Sequence, residues 1–337
     1  MLQIERLQFF LHLLPKLTVG LVGDLFLDRY LEIDAQLGEP SIETGLETQQ
    51  VVRVRNQPGA LGTVLNNLAA LGVGNLVPLT VIGDDGHGYD LLQSLQSLPV
   101  DDSHVLRSPD RLTPTYTKPL RQDAAGSWQE LNRLDVRSRQ PLTDRTCDQL
   151  CRHLQSVFTQ TDGLIVLDQI DQRNTGVIDD RVRDCLRKMA QQHPQRLMYI
   201  DSRRWLSEFD FGTLKGNRAE VLAAVPDAPD VPTAMRQLNA RTGQPVFCTL
   251  GDRGMSTACR DGRVVHVPSG PIDGPVDIVG AGDSATSGIV FSLLAGATEI
   301  EAAAVGNLVA SITVQQLGTT GTATPQQVLD RWYETCS

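Results

Sequence analysis

The sequence predicts an α/β fold with a mostly parallel sheet covered by helices on both faces, and three observations predict it. Compact apolar runs alternate with helical patterns along most of the chain. Acidic residues and glycines fall just after those runs, where an open α/β sheet gathers its ligands. Two segments break the alternation and read as a small β-sheet lid over that rim.

Leu7, Phe10, Leu11 and Leu14 recur at helical spacing, so the segment from Met1 to Pro15 predicts a short helix packed on the body. It carries Glu5 and Arg6, is too short to span a bilayer, and lacks the basic start and cleavage site of a signal peptide. Leu17–Val22, Leu76–Ile82, Gly163–Leu167, Leu197–Ile200 and Val246–Leu250 read as buried strands. Leu61–Leu71, Tyr89–Leu98, Arg145–Phe158, Asp179–Gln192, Ala234–Arg241 and Ala302–Gln316 read as helices. Asp24, Asp28, Asp168, Asp201 and Gly251 all follow predicted strands and should converge on one rim. The interruptions, 30–57 and 113–134, hold alternating stretches such as Val51–Arg55 and Thr115–Lys118 and predict short antiparallel strands. Paired with each other, they would form a lid that excludes water. Its outer face offers a site for a homodimer, which the sequence does not demand.

The 337 residues form one large domain by this reading, and an apolar content of 41% suffices for its core. A net charge of −10 argues against general binding to nucleic acid or anionic membranes, although a local basic pocket stays open. The six cysteines include no C-x-x-C pair and no histidine at zinc spacing, a pattern that fits free thiols in a reducing cytoplasm. Cys147 and Cys151, one helical turn apart, read as helix burial.

The densest chemistry lies at Val276–Asp283, where Gly280-Ala281-Gly282-Asp283 leads into a helix of small residues. The glycines allow a tight turn whose N–H groups point at one spot, and the helix N-terminus adds its positive end. An anion beside a carboxylate is what phosphoryl transfer to an alcohol needs. A glycine-rich turn with Asp283 as helix cap would use the same residues, and the turn alone does not decide.

Four ordered segments widen the picture: Val22-Gly23-Asp24-Leu25-Phe26-Leu27-Asp28-Arg29-Tyr30; Pro58-Gly59-Ala60 running into Asn67–Gly72; Lys215-Gly216-Asn217-Arg218-Ala219-Glu220; and Asp277–Asp283 with Gln316–Thr320 downstream. In this order they resemble the PfkB (ribokinase-like) carbohydrate kinases, from about Leu17 to about Thr324. The resemblance implies a ribokinase-like three-layer α/β/α sandwich with a small β-sheet lid. It also implies an ATP-dependent kinase acting on a hydroxyl of a sugar or sugar phosphate. Within the family, Gly23–Tyr30, Pro114–Lys118, Leu134-Asp135 and Leu317-Gly318-Thr319 are similar to the kinases of the ADP-heptose pathway, which act on a heptose 7-phosphate. No H-x-G-H motif, carried by a nucleotidyltransferase fused to some of these kinases, occurs in the sequence.

The resemblance assigns roles by position. Asp283 is the general base, kept ionised by the helix N-terminus, and the N–H groups of Ala281, Gly282 and Asp283 steady the transferred phosphoryl. Asn217 and Glu220 hold water around Mg²⁺, although a helix cap would use the same pair. Thr249, Gly251 and Gly254 form a nucleotide-phosphate loop, a segment that alone is a plain hairpin turn, and Asn307 lies by the adenine or faces solvent. Asp28 takes sugar hydroxyls; Asp24 does the same or shapes the turn. Gly59 and Thr63 line the sugar, and Lys118, with Arg29 or Arg133, holds a phosphate already on the substrate. Asp277 and Gly318 mark a site for a monovalent cation such as K⁺. Against the family pattern, Ala60 stands for a glycine, Thr63 for an asparagine, and Val279 occupies the third position of the last motif. A kinase for a nucleoside or another small alcohol, or a non-catalytic sensor with the same fold, is the alternative.

Overall fold

A computed structural model describes residues 2–122, 126, 128–318 and 320–336. Thr319 of the Gln316–Thr320 segment lies outside them, as do 123–125 and 127 of the second lid segment. Helix α1 (Ile4–Leu13) precedes β1 (Thr18–Gly23); the hairpin β2 (Leu25–Pro40) and β3 (Glu47–Ala60) then runs straight into α2 (Leu61–Leu71). Next come β4 (Asn75–Gly83), α3 (Gly86–Leu95), β5 (Val105–Ser108), β6 (Thr115–Gln122), β7 (Trp128–Glu130) and β8 (Leu134–Val136). They are followed by α4 (Asp144–Gln160), β9 (Gly163–Asp168), α5 (Asp180–Gln192), β10 (Leu197–Ser202), β11 (Thr213–Asn217) and α6 (Arg218–Ala224). After α7 (Val231–Thr242) and β12 (Val246–Thr249) come the edge strands β13 (Met255–Ala258) and β14 (Val264–Val267), then α8 (Ala281–Leu294), α9 (Glu299–Thr313) and α10 (Pro325–Cys336).

The main sheet has the order β14-β13-β12-β11-β10-β9-β1-β4-β5. From β12 to β5 every pairing is parallel; β13 and β14 are antiparallel. Strand alternation sends neighbouring residues into opposite cores. Val19, Ile165, Leu167 and Phe247 join α1, α2, α8 and α9 on one face. Val22, Leu164, Val166 and Cys248 join α4, α5, α6 and α7 on the other. The result is the three-layer α/β/α sandwich. Cys147 is buried on α4, as its helical spacing suggested, and Cys151, one turn on, packs half-buried against the second core. Among the described residues no helix is long and apolar enough to cross a membrane.

The lid is a second sheet, ordered β3-β2-β6-β7 with β8 also on β6. It departs from the sequence expectation in two ways. Its strands reach from Leu25 to Ala60 and from Thr115 to Val136, so Asp28 lies inside β2 rather than past a strand end. Only Asp24 separates β1 from β2, and Leu25–Leu27 stay buried at the lid's root. The β2–β6 junction is parallel, Leu27 opposite Thr115 and Ile33 opposite Arg121, because both strands leave the same rim.

Candidate active site

Gly280 takes φ +79° and caps α8, so the turn that opens the helix depends on a residue without a side chain. Its neighbours fill the space: a Cβ there would stand 3.3 Å from the Thr63 methyl. Ala281 does not point its N–H at an anion as expected, because it donates to Ile278 O at 3.2 Å. The N–H groups of Gly282 and Asp283 have no partner among the described residues and remain for a ligand.

Asp283 also departs from expectation. The helix terminus does not hold its carboxyl in the ordinary range: burial, with Asp201 adding to it, pushes the carboxyl up to about 7 against the pull of Lys215 and Arg203. A carboxylate tuned to neutrality is a better-matched proton acceptor than the weak base the sequence suggested.

Beneath the turn lies a pair that sequence reasoning missed. Lys215 Nζ donates to Asp201 Oδ2 at 2.7 Å, and both side chains are buried. Thr286 of α8 donates to the same oxygen at 3.3 Å. A Cβ on Gly282 would sit 3.1 Å from that ammonium, so the lysine underlies the anion site. The two residues are distant in sequence, and only the β10–β11 pairing, Asp201 opposite Lys215, brings them together. The signal available earlier was a lysine inside an apolar strand.

A cavity of about 720 Å³ gathers most of the nucleotide-side residues: Asn217, Glu220, Thr249 and Gly251 meet Gly282 and Asp283 on its wall. Asn217 and Glu220 form a capping box on α6: Glu220 N donates to Asn217 Oδ1 at 3.0 Å and Asn217 N to Glu220 Oε2 at 2.7 Å. Arg203, Arg218 and Arg253 also line the cavity and make no ion pair with a described residue. Two expected members stand apart. Gly254, at φ +88°, closes the β12–β13 turn under the backbone of Ser269. The Asn307 amide donates to the carbonyls of Val267 and Pro268 at 2.9 and 3.3 Å.

On the lid side, Asp28 is buried and close enough to Asp283 to raise it further. Lys118 Nζ lies 3.4 Å from Asp28 Oδ2 and donates to the Tyr30 hydroxyl at 3.3 Å. Gly59 makes room for this carboxylate, since a Cβ there would come within 2.9 Å of it. Of the two roles the sequence offers for Asp24, its burial and bonding support the turn-shaping one. Its oxygens accept from the backbone of Val177 at 2.7 Å and Gln169 at 3.1 Å, so it shapes the turn and ties down the loop after β9. Arg29 turns away to Asp90 at 2.7 Å. Arg133 chelates Asp135 and stacks on Tyr116, 4.3 Å from the ring centre. Thr63 is buried in α2 and packs its methyl against Gly280, beneath the turn. Asp277 accepts from Val279 N at 3.0 Å and Gly318 N at 3.1 Å, which ties the two loops together.

The family profile of the pfkB family carbohydrate kinases matches residues 28–327. The chain belongs to this family. The bifunctional protein HldE of Trichlorobacter lovleyi is 29% identical over 314 residues, covering 91% of this chain and 61% of that protein. The chain thus spans about three-fifths of the curated relatives it matches. Among solved structures, phosphofructokinase-2 from Escherichia coli in complex with potassium superposes with a TM-score of 0.70 at 17% identity, over 94% of this chain and 99% of that one. Arabidopsis thaliana ribokinase complexed with ribose and ATP gives 0.66 at 16%, over 94% and 98%. At these identities the likeness to the solved structures is one of fold. Membership makes this PfkB protein a phosphotransferase with a hydroxyl acceptor.

Proposed function

We propose that the chain transfers the γ-phosphate of ATP to a hydroxyl of a sugar or sugar phosphate held between Asp28 and Asp283. The observation that carries this reading is the position of Asp283, whose turn lines the nucleotide cavity and whose carboxyl feels Asp28 of the lid. ATP lies along the arginine-lined cavity with its γ-phosphate at the free N–H groups of Gly282 and Asp283. Asp283 accepts the acceptor's proton as a new O–P bond forms and the bond to the ADP oxygen breaks. The N–H groups and the Lys215 ammonium stabilise charge on the moving phosphoryl. Asp28 orients the acceptor, and the lid keeps water from competing.

Among the described residues no cluster of three or more His, Cys, Asp or Glu could hold a metal directly. Glu220 and Asn217, bonded to each other, fit a Mg²⁺ held through water, as this ion commonly is. Bound there, it would supply positive charge to offset that of the nucleotide phosphates.

The resemblance to ADP-heptose pathway kinases makes a heptose 7-phosphate the first acceptor to test. ADP release measured across heptose, hexose and pentose phosphates, free sugars and nucleosides tests the whole reading. A protein that binds ATP but releases no ADP with any of them is a sensor. At the lid's far end Leu37, Ile42, Leu46 and Val52 are exposed, and the same reading seats a second copy there. Sedimentation at two concentrations checks it.

A further inference from the structure

A second cavity, of about 400 Å³, lies on the inner face of the lid beyond Lys118. That volume falls within the roughly 300–1,000 Å³ of small-molecule sites. Alternation along the strands places Tyr30 and Glu32 of β2, Arg55 of β3, Lys118 of β6, and Trp128 and Glu130 of β7 on its walls. The loops around 277–279 and 317–318 close the other side. Neither Asp28 nor Asp283 lines it, so a ring poised between those carboxylates leaves this space free.

Its charges are already committed. Arg55 Nε donates to Glu32 Oε1 at 2.8 Å while the guanidinium lies 4.8 Å from the Tyr30 ring centre. Lys118 is held by Asp28 and by Tyr30. Three carboxylates, Glu32, Glu130 and Asp277, face two cations, and Glu130 makes no ion pair with a described residue. A phosphate placed here would meet three carboxylates and two cations that are each already paired with a carboxylate, Arg55 with Glu32 and Lys118 with Asp28. A neutral ring would find the half-exposed face of Trp128 to stack on and the free Glu130 carboxylate to accept its hydroxyls.

We propose that this cavity is a second acceptor subsite for an uncharged sugar ring linked to the ring being phosphorylated, so the acceptor is a glycoside or oligosaccharide and not a compact sugar phosphate. The inference rests on the kinase reading above and narrows its substrate class.

Three kinds of acceptor decide it: monosaccharides, neutral disaccharides containing them, and the same monosaccharides carrying a phosphate away from the reacting hydroxyl. The readout is kcat/KM from ADP release. The expected order puts a neutral disaccharide first. Trp128→Ala should lower the disaccharide-to-monosaccharide ratio by about 2- to 12-fold, the range of an aromatic stacking contact. Glu130→Lys, on the same exposed strand, should raise the phosphorylated acceptor relative to the disaccharide. A phosphorylated monosaccharide as the best acceptor, or ratios that neither substitution moves, overturns the subsite and leaves the kinase reading standing. ADP release with none of the three kinds overturns both.

Discussion

Replacing Asp283 with asparagine removes a proton acceptor and an unfavourably placed charge at once, so activity and stability should move in opposite directions. The amide keeps the size of the side chain and leaves the N–H groups of Gly282 and Asp283's own backbone in place. Turnover should fall on the order of 10²–10⁴-fold, with ATP binding preserved. The stability change follows from the displaced titration. The carboxyl titrates near 7 in the folded protein against an ordinary 3.8, about 3 units, or about 4 kcal/mol at about 1.36 kcal/mol per unit. Solvent at the rim screens part of this, leaving about 1–3 kcal/mol. Between those two values the folded protein keeps a proton that the unfolded chain has released. Stability therefore falls as pH rises through the window and stays lower above it. Asparagine has no such proton, so the variant's advantage should be small near pH 4, grow toward pH 7 and stay constant beyond. Denaturant unfolding of both proteins across pH 4–8 measures it, and the wild-type kcat/KM should rise to a plateau above about pH 7. A variant no more stable than wild type at pH 8, or a wild-type kcat/KM flat from pH 5.5 to 8, refutes the idea of a desolvated base at this turn.

Ala60 adopts φ +53°, ψ −114°, a backbone that favours glycine. Relief of about 1–3 kcal/mol of strain, less about 0.4–1 kcal/mol of added chain entropy, should make Ala60→Gly more stable by about 1–2 kcal/mol in urea unfolding, and a loss would show that the turn is unstrained. Glu220→Gln keeps the capping geometry but drops a charge, so the Mg²⁺ concentration for half-maximal rate should rise several-fold without a change in melting temperature; an unmoved Mg²⁺ requirement assigns the residue to the cap alone. Thr63→Asn enlarges a side chain packed on Gly280, and the expected result is a loss of about 1–3 kcal/mol with the ranking of acceptors unchanged. A changed ranking would place Thr63 in contact with the acceptor.

Local pattern carried the fold a long way. Leu61–Leu71 is helical over the range its spacing predicts, because Leu61, Val64, Leu65 and Leu68 line one buried stripe and Gly72 stops it at φ +91°. Gly163 begins a strand as expected, since the run after it feeds both cores by alternation. What escaped was set by distant partners. Tyr30 looked like the start of an insertion, yet Leu25–Leu27 belong to it and are buried at its root. Asp24 and Asp28 are four apart and chemically alike, and only the loop returning from β9, with its N–H groups at Val177 and Gln169, separates their jobs. The behaviour of Asp283 depends first on its burial and then on Asp201, more than 80 positions away, neither of which a helix-terminus rule contains.

The two roots of the lid's β2–β3 hairpin are spliced into the body beneath it. β2 leaves β1 across the single residue Asp24, and β3 passes at Ala60 into the helix whose Thr63 methyl rests beside Gly280. The hairpin is therefore not a detachable module. A hairpin grafted from another sugar kinase with joins at 25 and 60 would bring foreign strands but leave behind Asp24, which ties the root to the loop after β9, and Thr63, which packs beside Gly280. Acceptor specificity would then be rebuilt on a misaligned base. Grafts that change the acceptor should instead be cut from 24 to 63, carrying both contacts together.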